Sequence, residues 1–173
     1  MDSTADPAAT PGLPDRAAAP EAAEAPASLV GTVVDEVAFD VERGKVAEFA
    51  RATGAQDPVH TDRREAQRRQ LPDVAATATH VVVAGHHRSA AAMLDRLGLD
   101  LPRVMVGGTS WEYTRPLVAG DSLTGRRTVT ADVTKTSSSG TALRIITLET
   151  EYRDRDGLVA VRQQETILER GRK

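Results

Sequence analysis

The stretch Gly54-Ala55-Gln56-Asp57-Pro58-Val59-His60-Thr61-Asp62 has neither helical nor strand periodicity, yet it gathers an imidazole, two carboxylates and a proline within six residues. Asp57 ahead of Pro58 fits an Asx-type turn, in which the side chain stabilises the bend. A proton-transfer carboxylate is the second reading. His60 has the same two readings: a ring satisfied by backbone beside a helix cap, or a general acid–base group. Asp62, with Glu65 three residues later, forms a capping-box-like start for a short helix running to about Arg69.

Reading outward, Val33, Val37 and Phe39 mark a first strand upstream. Asp40 is expected to cap the next element, with Glu42 in its first turn. Val46, Phe49 and Ala50 then give a helical face that ends near Gly54. Downstream, a loop at Pro72 leads to a long apolar helix expected over Thr79 to Leu97, stopped by Gly98. After Pro102 the period becomes two. Strands are expected from Val104 to about Thr114, and over Leu123–Val133, Leu143–Tyr152 and Leu158–Leu168. Ser137 to Gly140 and Asp156-Gly157 supply turns. The class is α+β: an antiparallel sheet with its helices on one side.

The 173 residues suffice for one domain, placed at 29–173. Residues 1–28 hold five of the nine prolines and almost nothing apolar larger than alanine, so they are expected to be a disordered tail. The net charge of −3, with Lys and Arg interleaved among Asp and Glu, argues against nucleic acid as a partner. With no cysteine, disulfides and thiolate chemistry are excluded. Apolar runs such as Val81 to Ala84 are far too short to cross a bilayer, and a cytoplasmic location without membrane contact is expected. His80, His86 and His87 lack a surrounding carboxylate pattern, so no metal or cofactor is expected, and all three are assigned to surface or interface positions on the long helix.

The opening stretch resembles the hydratase signature of the MaoC-like family, G-D-x-N-P-(L/I)-H-x-D-x-x-x-A. Gly54, Pro58, His60, Asp62 and Ala66 stand in its places, and Val59 replaces Leu or Ile. Trp111 to Asp121, with Arg115-Pro116-Leu117 and Gly120-Asp121, is similar to a second family segment, and Phe49-Ala50 fits the helix before the signature. In register, these matches cover about residues 30 to 170. The resemblance implies the hot-dog fold, a sheet wrapped around a long central helix, and the chemistry of (R)-specific enoyl-thioester hydratases. Two departures stand out. Ala55 occupies the position of the family's catalytic Asp, and Asp57 that of its Asn. Ala75-Ala76-Thr77-Ala78-Thr79-His80 is closer to the version found in non-catalytic half-domains than to the His-Gly opening of active hydratases.

Hydrating an enoyl thioester takes a base for water, an acid for the α-carbon and donors for the enolate-like oxygen. The candidate catalytic residues are therefore His60 and Asp57. Candidate substrate-binding residues are Ala76 and Thr79, at the start of the long helix, and Arg115, which could meet a coenzyme A phosphate as well as mark a solvated strand end. Arg126-Arg127 has the same two readings, and Trp111 and Tyr113 suit core or interface packing or the lining of an acyl tunnel. The expected ligand is an acyl-CoA or acyl-carrier-protein thioester. Three roles stay open: a subunit that pairs with a complete-motif MaoC-like partner, a self-sufficient homodimeric hydratase, or a non-enzymatic acyl-thioester binding module. A thioesterase is weaker, since the helix-borne acidic nucleophile or base that other hot-dog proteins use for it is not apparent between His80 and Leu97.

Overall fold

Strands alternate inward and outward side chains, and the third strand shows how this chain uses that rule: Leu123, Gly125, Arg127 and Val129 turn inward, while Thr124, Arg126 and Thr130 face solvent. In the computed structural model, which describes residues 28–136, 138 and 140–171, five strands form one antiparallel sheet. They are β1 (Val33–Asp40), β2 (Val104–Tyr113), β3 (Ser122–Thr136), β4 (Ala142–Arg153) and β5 (Val159–Arg170), in the spatial order β1-β3-β4-β5-β2. All four late strands lie where their period of two places them. The tail expected before residue 28 lies outside the described residues. Among the described residues no helix is long and apolar enough to cross a membrane.

Helix α1 (Arg43–Ala52) buries Val46 and Ala50 and gives way at Gly54, whose φ of +70° suits a residue without a Cβ. The expected cap is corrected here. Asp40 is the last residue of β1 and accepts from the Ser122 hydroxyl, while Glu42 takes the N-cap position without a side-chain bond. Helix α2 (Arg63–Arg68) is capped by Asp62, which accepts from the Arg64 N–H. Glu65 does not complete a capping box; it bonds Arg68 and Arg69 instead.

The expected long helix is two pieces. A 3₁₀ segment runs over His80–His87, and α3 covers Ala90–Leu97, with Ser89 as its N-cap and Gly98 in left-handed conformation as its C-cap. Between them Arg88 is extended, at φ −105° and ψ 149°. Its guanidinium turns inward to Asp35 and the Tyr152 hydroxyl, and Ser89 then bonds the Ala92 N–H. An arginine pulled into the sheet and a capping serine after it thus divide a run that is apolar enough to continue.

Two apolar clusters fill the space between these segments and the sheet. One joins Phe39, Val46, Val81, Leu117, Tyr152 and Val161, and the other joins Leu97, Val129, Ile146, Leu148 and Ile167. His80 is fully buried, which corrects its surface placement: its ring packs against Phe49 edge-on at 5.3 Å and against Phe39 at 6.0 Å. Burial lowers its pKa and favours the neutral ring. His86 and His87 are exposed.

Candidate functional site

Pro58 fixes the first φ of a short 3₁₀ turn, Pro58–His60, and this turn delivers His60 to the end of a threaded segment, residues 73–76. That segment is held from three sides. The Asp73 carboxylate accepts from Arg43 Nε (2.9 Å) and lies 3.5 Å from Arg63. The Ala75 N–H donates to the Val59 carbonyl (3.0 Å), the Ala76 N–H to the Leu117 carbonyl (2.8 Å), and the Val74 carbonyl accepts from the Ala119 N–H (3.0 Å). The Arg43 guanidinium, aided by the Val74 N–H, holds the Asp73 carboxyl at about 2 against its burial.

His60 is half-buried, and its Nδ1 lies 2.7 Å from the Ala75 carbonyl oxygen. A carbonyl only accepts, so the neutral ring carries its proton on Nδ1 and presents the Nε2 lone pair. That is the tautomer a general base requires.

The family resemblance places a carboxylate at position 55, and none stands there. Ala55 offers a methyl group, and its N–H donates to the Ala50 carbonyl (2.9 Å) at the end of α1. Asp57 accepts the Val59 N–H (3.0 Å) as an Asx turn, and both of its oxygens receive the Arg69 guanidinium, at 2.8 and 2.9 Å. Arg69 first, then the Val59 N–H, hold the Asp57 carboxyl below the usual range. Two-point guanidinium binding makes a carboxylate a poorer base.

Of the candidate binding residues, Ala76 is half-buried on the core and adjoins the Ala75 acceptor of His60. Thr79 is exposed ahead of the 3₁₀ segment and makes no cap bond. Arg115 is bound to Asp121 (2.8 Å) and lies 3.5 Å from Asp154, so it clamps the turn before β3. Tyr113 donates to the Ala78 carbonyl (2.6 Å), and burial pushes its pKa up to about 12. Arg127, one of the pair read as a solvated strand end, is 6% exposed and faces inward, while Arg126 faces solvent. Its position in the apolar phase of β3, between Gly125 and Val129, was the available signal. Arg88 carried none, because it stands in an expected helix.

Residues 28–163 match the family described as FAS1-like, dehydratase domain region. The chain belongs to this family. A UPF0336 protein of Clavibacter michiganensis is 38% identical over 145 residues, covering 83% of this chain and 94% of its own. Among solved structures, the C-terminally truncated HadBC (3R-hydroxyacyl-ACP dehydratase) complex of Mycobacterium tuberculosis is 19% identical, covers 81% of this chain and 96% of its own, and has a TM-score of 0.66. The MaoC-like dehydratase of Rhodospirillum rubrum is 24% identical, covers 83% and 94%, and has a TM-score of 0.56. These structural likenesses show the hot-dog fold for this family member, with its central helix interrupted at Arg88.

Proposed function

We propose that the chain is the acyl-thioester-binding subunit of an (R)-3-hydroxyacyl-thioester dehydratase or enoyl-thioester hydratase, with the reacting Asp and His supplied by a MaoC-like partner. The observation that carries this reading is the state of the motif. His60 has a usable Nε2, but position 55 is alanine and Asp57 is spent on Arg69 and the Val59 N–H. One proton-transfer group is left where the reaction needs two.

The edge of the sheet supports a partner. β2 pairs only with β5 among the described strands, and its outer side is open, with Met105 45% and Val106 68% exposed. An open strand carrying exposed apolar residues is a ready surface for continuing the sheet into a second chain. The HadBC dehydratase structure is itself that of a complex.

Co-expression with a MaoC-like protein bearing the intact Asp/His motif tests this reading. The expected result is a co-purifying pair that hydrates enoyl-CoA, keeps most of its turnover in His60→Ala, and loses it when the partner's His is replaced. A homodimeric hydratase predicts turnover by this chain alone, and a binding module predicts none in either setting.

A further inference from the structure

One row of side chains crosses the inner face of the sheet perpendicular to the strands. The registers pair Asp35 with Arg127, Arg127 with Thr150, Thr150 with Gln163, and Gln163 with Trp111. Tyr152 and Val161 of the first apolar cluster lie on one side of this row, and Val129, Leu148 and Ile167 of the second lie on the other. A polar belt therefore divides an apolar interior. Arg88, where the central helix breaks, reaches the belt through Asp35 and the Tyr152 hydroxyl (3.3 Å). A pocket of about 320 Å³ opens there, lined in part by Val81, Met93, Trp111, Arg127, Tyr152 and Gln163. That volume is at the small end for ligand sites, roughly 300–1,000 Å³.

The charges in the belt balance. Arg88 and Arg127 are met by Asp35 and Glu165. The hydrogen bonds do not balance. Arg127 Nε and Trp111 Nε1, both donors only, are buried without a partner among the described residues. Both N–H groups are closed to water in the free protein, so a saturated alkyl chain leaves them as unmet as before, whereas an acceptor brought to either by side-chain adjustment satisfies a buried donor. A carboxylate would add an uncompensated buried charge to a balanced set. A neutral oxygen accepts from either donor and leaves the charges alone.

We infer that this pocket receives the distal part of an acyl group carrying a keto or hydroxyl oxygen, in preference to a plain alkyl chain. The inference rests on the acyl-thioester reading above and specifies the class of substrate. Trp111 is the one tryptophan of the chain, so its fluorescence reports on the pocket directly.

The test titrates the full chain with saturated acyl-CoAs of increasing length and with their (ω−1)-oxo counterparts, by calorimetry and Trp111 emission. At one or more lengths the oxo thioester is expected to bind roughly tenfold tighter, as one or two newly met buried donors would give. The preference should shrink in Trp111→Phe, and in Arg127→Lys, which keeps the charge and removes Nε. Binding of the saturated thioester shows that each variant is folded. Equal or weaker binding of the oxo series at every length overturns this inference and leaves the thioester reading standing. A preference that survives in both variants also overturns it. If neither series binds, the thioester reading fails and this inference fails with it.

Discussion

Asp73→Asn removes the charge that ties the threaded 73–76 segment to Arg43 and Arg63, and so loosens the carbonyl on which His60 rests. The native carboxyl titrates at about 2 against an ordinary 3.8. That displacement corresponds to about 2 kcal/mol. Arg43 and Arg63 are 60% and 59% exposed, and solvent screening reduces the expected loss to about 1–2 kcal/mol at neutral pH. The sign follows from proton uptake. Below the ordinary pKa the unfolded chain binds the proton that the folded chain still refuses. The stabilisation is thus whole above pH 3.8 and is lost as pH falls towards about 2, with about half gone near pH 3. Urea unfolding followed by Trp111 emission, on both proteins from pH 7 to 3, measures this. A deficit that stays constant across that range would refute the electrostatic account and make Asp73 a packing residue.

Asp35→Ala leaves Arg88 and Arg127 in the interior without their shared anion, and a loss of about 3 kcal/mol is expected in denaturant titration. Gly125→Ala would put a Cβ 2.5 Å from Tyr152 Cε1; Tyr152 is fully buried, so the variant should lose about 1–3 kcal/mol by calorimetry. His80 is held neutral by burial, so the unfolded chain gains its proton first and stability falls as pH drops below 6.5. His80→Leu should flatten that slope in thermal melts between pH 7 and 5, and an unchanged slope would show that other groups set it.

The order of elements was readable from residue chemistry because strand period, helix caps and turn residues agreed locally over residues 104–170 and again at Gly54 and Gly98. What escaped was set by distant partners. The run from Thr79 to Leu97 is apolar and free of proline, yet Arg88 leaves it for Asp35, 53 residues earlier. His80 reads as a surface histidine until Phe39 and Phe49 close around it. At the candidate site, the loss of the Asp at position 55 was plain in the motif. The occupation of Asp57 by Arg69 was not, because it depends on how α2 folds back over the turn. Arg69, twelve residues away, is what separates a spare carboxylate from a structural one.

Hydration of crotonyl-CoA and of a longer enoyl-CoA by the purified chain alone, followed as loss of enoyl absorbance, tests the central claim most directly. With Ala55 in place of the catalytic Asp and Asp57 held by Arg69, the chain is expected to show no turnover above the uncatalysed rate, and His60→Ala should change nothing. Turnover by the chain alone that disappears in His60→Ala would contradict the account and make this protein a complete hydratase.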